Sequence, residues 1–256
     1  MKSKTGDVEN RGGDIENRRD GDNESGRDAT ALYPNMLESP QLRWAFIRKV
    51  YVIILAQLLL TVGIASAVFL AKPMKRFVAE TKLGSAIFIV LLVLPLILIC
   101  PLRAYHKRHP VNFVLLGLFT VTMAFGLCFS CAFTKEKIIL ESAILTSVVV
   151  VALTLYTFWA VKRGHDFSFL GPFLFASLLV IIVFALIQIF FPLGKLSWMI
   201  FGCLGSIVFA AFIVYDTNNL IKRFSYDEYI WAAVSIYLDV INLFLSLLYV
   251  FGAGDG

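Results

Sequence analysis

Charge is what this chain has least of. Only 16% of its 256 residues are Asp, Glu, Lys or Arg, while 59% are hydrophobic; a soluble domain carries roughly 25% charged and 45–50% apolar residues. Together with a mean hydropathy of +0.79, this excludes a water-soluble globular domain and identifies an integral membrane protein. Cysteine is also scarce, and Cys100, Cys128, Cys131 and Cys203 all lie inside apolar runs, where no oxidising lumen could staple a loop. Cys128 and Cys131 have C-x-x-C spacing, but with no second pair and no soluble βαβ context they read as small helix-packing residues. No glycine-rich nucleotide loop, metal-ligand cluster or nucleophile–base constellation appears. The first residues lack a basic stretch followed by a short apolar one, so they do not read as a cleaved signal peptide, and the first spanning helix is expected to direct insertion.

What the chain does have is a series of long apolar runs. The net charge of +5 and pI near 9.0 do not point to nucleic acid, because the basic residues stand singly or in twos and threes between those runs, where they anchor loops at a membrane surface. Residues 1–38 hold six basic and nine acidic side chains and almost nothing apolar before Leu32; they are expected to be a disordered polar tail. Residues 39–252 are expected to be an all-α domain of seven transmembrane helices, with spans near 50–71, 84–102, 111–133, 138–161, 169–191, 198–221 and 229–250, each near the 20 residues a bilayer requires. Residues 253–256 form a short C-terminal tail. Arg43 to Lys49 reads as an interfacial anchor, Lys72 to Lys82 as a basic loop, and Pro95 and Pro101 as kinks or ends of the second span. Pro192 is expected to end the fifth. Gly202, Ser206 and Ala210 recur every four residues in the sixth span and would let a neighbouring backbone approach. Flanking Lys and Arg number ten on the N-terminal side against seven opposite, which places the N-terminus in the cytosol.

Two acids lie inside hydrocarbon at the C-terminal end, Asp216 late in the sixth span and Asp239 deep in the seventh, and an intramembrane carboxylate is a functional-site hypothesis by default. The link between the two spans centres near Ser225 and Tyr226. Walking back to Asp216 and forward to Asp239 covers distances differing by about four residues, roughly 6 Å of helix rise, so antiparallel helices bring the acids to nearly one depth. Ser235, Asp239, Asn242 and Ser246 share one helical face, which should face protein. Glu141, about one turn into the fourth span, is expected to reach headgroups or pair with Lys135 or Lys137. His106 and His109 sit in a loop where lipid headgroups are the expected partners, and His165 beside Asp166 is expected to be solvated.

The run Ser235-Ile-Tyr-Leu-Asp239-Val-Ile-Asn242-Leu-Phe244-Leu-Ser-Leu-Leu248 resembles the last helix of the lifeguard family of transmembrane Bax-inhibitor-motif proteins. The resemblance extends to Val214-Tyr215-Asp216-Thr217 with Asn218 and Asn219, to Gly205 and Ser206, to Leu140-Glu141-Ser142-Ala143, and to His109-Pro110-Val111-Asn112. It covers roughly Arg43 to Phe251, and the style of the tail and loop points to a plant member. The resemblance implies six helices around a central seventh and a pH-sensitive calcium leak of an intracellular membrane, often the endoplasmic reticulum, with suppression of stress-induced cell death. It also implies that Asp216 and Asp239 form the sensor. In some relatives a basic residue ending the second span latches one aspartate; here Arg103, His106, Lys107 and Arg108 are the candidates, and Glu141 matches a family acid.

Two carboxylates close together in a low dielectric must share a proton or hold a cation, and their titration belongs to the pair. Calcium prefers oxygen ligands, so Asp216 and Asp239, supported by Asn219, Asn242, Ser235 and Ser246, are expected to make a weak calcium site, with calcium as permeant or weakly bound ion and no other cofactor. The plainer alternative is that the acids only fix the orientation of two helices. A membrane scaffold binding cell-death regulators or calcium-handling membrane proteins is the main non-channel alternative. An intramembrane aspartyl protease is a remote one, since neither acid has the flanking glycine of those enzymes. A seven-helix receptor fits poorly with short loops, so the chain is expected not to be an enzyme and to act in membrane lipid.

Overall fold

The computed structural model describes residues 31–34, 36–70, 82–132, 134–191 and 194–254. Residues 1–30 of the expected tail, nearly all of the basic loop expected at Lys72 to Lys82, and the helix stop expected at Pro192 lie outside the described residues. Seven α-helices and no strand occur among the described residues: α1 Pro40–Leu70, α2 Lys82–Tyr105, α3 Val111–Ala132, α4 Glu136–Lys162, α5 Leu170–Phe190, α6 Lys195–Lys222 and α7 Tyr229–Gly254. Their backbone is helical for a solvent reason: hydrocarbon offers no partner to an N–H or a carbonyl, so each segment must satisfy its own. All except α2 are long and apolar enough along their described residues to cross a membrane. α2 is 24 residues long with Pro95 and Pro101 inside it, and its helix continues through both prolines to Tyr105, past the expected end at Leu102. Membrane helices tolerate this where local adjustments and neighbours re-satisfy the freed carbonyls.

α7 is the central helix, with α1, α3, α4 and α6 packed against it. Burial decides this: 56% of the apolar window of α7 is inside the protein, against 11% for α5 at the periphery. Polar side chains on a membrane helix need protein neighbours, and on α7 Ile230, Ala233, Val234, Ile236, Tyr237, Asp239, Ile241, Leu243, Ser246 and Leu248 are all buried. α6 packs along α7 most extensively; α1, α3 and α4 also meet it, while α2 packs on α3 and α5 on α6.

The α6–α7 contact is close because glycines line it. A Cβ at Gly202 would lie 2.7 Å from the Ser246 carbonyl oxygen and 2.9 Å from Val250 Cγ2, and one at Gly205 would lie 2.6 Å from Ser246 Oγ. The facing pair is therefore Gly202 and Gly205, not the four-residue repeat through Ser206 and Ala210. Ser206 is only partly buried and donates to its own Cys203 carbonyl at 2.8 Å.

At the opposite end of α6, Arg43 corrects the anchor expected over Arg43 to Lys49. The helix begins at Pro40, a first-turn position where a missing N–H is no loss, and Arg43 is 1% exposed. Its Nε donates to the Ile221 carbonyl at 2.8 Å and its Nη1 to the Phe224 carbonyl at 2.6 Å, with Glu38 3.7 Å away. The guanidinium thus satisfies carbonyls that α6 and its exit leave open and sits at the negative end of the helix dipole. Tyr226, whose hydroxyl donates to Glu38 at 2.8 Å, starts a 3-10 turn, Tyr226–Glu228, held by a capping box of Ser225 and Glu228. That turn feeds α7. Beside it, Asp166 in the α4–α5 loop accepts from Ser168 Oγ at 2.5 Å and from Asn218 at 3.1 Å, with Lys222 at 3.9 Å. The Ser168 hydroxyl, ahead of the other contacts, holds the Asp166 carboxyl below its ordinary range; this tie is present above that range and is lost as pH falls.

Close α6–α7 approach predicts that Gly202→Ala destabilises the purified protein by about 1–3 kcal/mol, while Ser206→Ala stays within roughly 0.5 kcal/mol. Thermal unfolding in detergent measures both, and equal losses would show that Gly202 does not set the spacing.

Candidate functional site

Asp216 is on the last two turns of α6 and Asp239 is in the middle of α7, which the short link folds back beside it. Asp239 is 6% exposed and Asp216 is partly accessible. The two carboxyl groups lie within hydrogen-bonding reach of each other, and Asp216 also reaches the Asn219 side chain. Carboxylate oxygens only accept, so such a contact is held by a shared proton or an intervening cation.

The surroundings leave oxygens free. Asp239 Oδ2, Asn219 Oδ1, Thr217 Oγ1 and the Tyr51 hydroxyl are buried without a hydrogen-bond partner. The Tyr51 hydroxyl approaches the Thr217 and Thr154 side chains but makes no geometrically complete hydrogen bond to them. Buried polar groups are normally paired; Asp239 Oδ2 and Asn219 Oδ1 are the unpaired oxygens belonging to the acid pair and its amide neighbour, while the Tyr51 and Thr217 hydroxyls lie toward each other. Calcium would find hard oxygen ligands in the two carboxyl groups, but Asn219 meets Asp216 through its amide N–H, which leaves fewer than the 6–8 oxygens of a closed site. Among the described residues no cluster of three or more His, Cys, Asp or Glu side chains is present.

Other expected members of the site are placed elsewhere. Asn242 Nδ2 donates to the Leu238 carbonyl at 2.8 Å, and Ser246 Oγ donates to the Asn242 carbonyl at 2.8 Å while packing on Gly205. Both turn to their own helix, because a short polar side chain in an apolar setting always has backbone carbonyls one turn back within reach. Ser235 is half-buried. The candidate latch residues gather at the start of α7: the Arg103 guanidinium lies 4.5 Å over the Trp231 ring, and Arg103 and Lys107 face Glu228. His106 Nδ1 donates to the Arg103 carbonyl at 2.5 Å, and Arg108 lies over Tyr105 at 5.5 Å. Asp239 is eight residues beyond Trp231, about 12 Å of helix rise, and no contact joins these cations to either aspartate among the described residues. Glu141 pairs with Lys137 at 3.7 Å on the surface.

His109 does not turn to headgroups alone. Its Nε2 is 2.6 Å from the Tyr229 hydroxyl, which also accepts from Asn112 at 3.3 Å, while Lys49 Nζ lies 3.2 Å over the Tyr229 ring. Residues not singled out from the sequence add a second polar layer: Gln57 donates to Thr120 Oγ1 at 3.0 Å, and the Thr61 and Tyr237 hydroxyls share a hydrogen bond of 2.8 Å. Gln57 and Thr61 stand one turn apart in an otherwise apolar run, and that i, i+4 polar pair was the available signal.

Seven apolar helices with a carboxyl pair buried between the last two define a polytopic α-helical membrane protein with an intramembrane acidic site. Residues 43–256 match the family model described as inhibitor of apoptosis-promoting Bax1. The chain is 62% identical to Protein LIFEGUARD 4 of Arabidopsis thaliana over 93% of its own length and 97% of that protein. It is 36% identical to Protein lifeguard 4 of Mus musculus over 82% of this chain and 85% of the relative, and 36% identical to the Golgi anti-apoptotic protein of Vaccinia virus (strain Lister) over 82% and 86%. The chain belongs to the Bax-inhibitor, or lifeguard, family of membrane proteins.

Contact between the acids predicts energetic coupling. In a double-mutant cycle on thermal stability, Asp216→Asn and Asp239→Asn should couple by about 1 kcal/mol or more, whereas Glu141→Gln and Asp239→Asn should add within roughly 0.5 kcal/mol. Additive behaviour of the aspartate pair would show that they do not meet.

Proposed function

We propose that the protein is a pH-sensitive calcium leak of an intracellular membrane that restrains stress-induced cell death, with Asp216 and Asp239 as its sensor. The observation that carries the reading is the meeting of Asp216 and Asp239 between α6 and α7, with Asp239 Oδ2 buried and unpaired. When the pair holds protons its negative charge falls and a divalent ion loses its ligands. When the protons leave, two carboxylates in a low dielectric repel each other and draw in a cation. Movement of α6 against α7 is the structural consequence, since each helix carries one of the acids. The family's description, inhibitor of apoptosis-promoting Bax1, and the name of one relative, the Golgi anti-apoptotic protein, support the cell-death role and an endomembrane site. We read the pair as serving an ion and not a bond-breaking reaction because neither Asp216, which follows Tyr215, nor Asp239, which follows Leu238, has the flanking glycine of intramembrane aspartyl proteases.

A second reading is that protection comes from partners bound through the tail. It is favoured by one feature: the polar, charged stretch before Arg43 lies outside the family match, which starts at that residue.

Calcium flux from proteoliposomes, measured across roughly pH 5 to 8, tests the leak. The wild type should conduct more as pH rises, and Asp216→Asn and Asp239→Asn should each abolish that dependence; unchanged profiles in both remove the sensor. Retained flux with lost protection after deletion of residues 1–38 would assign the phenotype to partners.

A further inference from the structure

An open groove of about 410 Å³ lies between α1 and α4, lined by Trp44, Ile47, Arg48, Tyr51, Val52, Leu55 and Phe158. Trp44 and Phe158 stack across it with ring centroids 5.8 Å apart and an interplanar angle of 5°, and Tyr51 also approaches the Phe158 ring at 6.4 Å. Apart from Arg48 its lining is aromatic or aliphatic, and it lies in helices apolar enough to cross a membrane. Arg48 is exposed and has no acidic partner among the described residues. Lys162 is also exposed and lies one turn beyond Phe158 on the same face of α4, and Arg163, over the Trp159 ring at 4.4 Å, follows it. An apolar slot with one cation in its lining, Arg48, and a second, Lys162, one turn beyond Phe158 matches one chemistry: a hydrocarbon chain carrying an anionic head. The chain's own tail does not, because before Leu32 it has almost nothing apolar to place in the slot.

We infer that this groove is a binding site for an anionic phospholipid, with an acyl chain against Tyr51, Val52, Leu55 and Phe158 and the phosphate-bearing head at Arg48 and Lys162. The apolar wall supplies affinity for any acyl chain, and the two cations supply preference for a net negative head over a zwitterionic one. Trp44 marks the level of the headgroup boundary, as amphipathic rings do at membrane surfaces. The site does not depend on the calcium reading.

The test uses the full chain purified in detergent and native mass spectrometry with equimolar phosphatidylserine and phosphatidylcholine of identical acyl chains. Wild-type protein is expected to retain phosphatidylserine preferentially. Arg48→Gln should reduce that preference roughly five-fold, the worth of one basic side chain at an anionic surface, and adding Lys162→Gln should reduce it again by a similar factor. Leu55→Trp, which fills the groove from a side chain that is 56% exposed, should lower retention of both lipids; Val52→Trp, at 65% exposed, serves if that variant does not fold. Inorganic phosphate alone should not compete, because the apolar wall holds the chain. Equal retention of the two lipids, an unchanged preference in Arg48→Gln, or unaltered retention in the groove-filling variants would overturn the site. So would loss of lipid on deleting residues 1–30, or full competition by phosphate.

Discussion

A carboxyl group can stand inside a membrane protein only if something other than hydrocarbon surrounds it, and here that condition is met by α6 lying tightly against α7. Gly202 and Gly205 remove the Cβ atoms that would otherwise meet Ser246 and Val250, so the two helices run close from one end. Arg43 and the capping box at Ser225 and Glu228 fix the other end. Between these two fastenings Asp216 and Asp239 are brought face to face. Loosening either end would expose an acid to lipid, at a cost of at least a few kcal/mol for a charge at mid-membrane.

The packing also explains how α7, the least apolar of the six long spans, can carry several polar side chains. Being central, it has no lipid-facing stripe to distinguish from an inner one, and its polar groups must find partners among neighbours. Tyr237 reaches Thr61, Tyr229 reaches His109 and Asn112, and Asp239 reaches Asp216. A helix with polar ties to α1, α3 and α6 at three levels is poised to register movement of any of them. Tyr51 joins two regions that otherwise look separate: its ring lines the α1–α4 groove while its hydroxyl lies near Thr217, next to Asp216.

Much of the architecture was readable along the chain because bilayer crossing is a local property: a run of about 20 apolar residues has few alternatives to a helix. The meeting of Asp216 and Asp239 was also accessible, since a short link and a fixed rise per residue leave antiparallel neighbours little freedom of depth. The supporting groups were less legible. Asn242 and Ser246 share a face with Asp239 but bond their own backbone, whereas Asn219, from the facing helix, approaches the pair. A helical wheel gives direction from the axis; it does not say whether a side chain will reach outward or fold back one turn.

Arg43 shows the same limit. In sequence it is one of three basic residues ahead of an apolar run, and surface anchoring is the ordinary fate of such residues. Its burial depends on the exit of α6, 178 residues away, arriving with open carbonyls at the same height. The sequence by itself determined the membrane environment, the helices and the two intramembrane acids, because these follow from hydrophobicity and spacing within short segments. Only the tertiary structure decided which cation caps which helix, which amide joins the acids and where a groove opens between α1 and α4, because those depend on how helices distant in sequence are rotated and offset against one another.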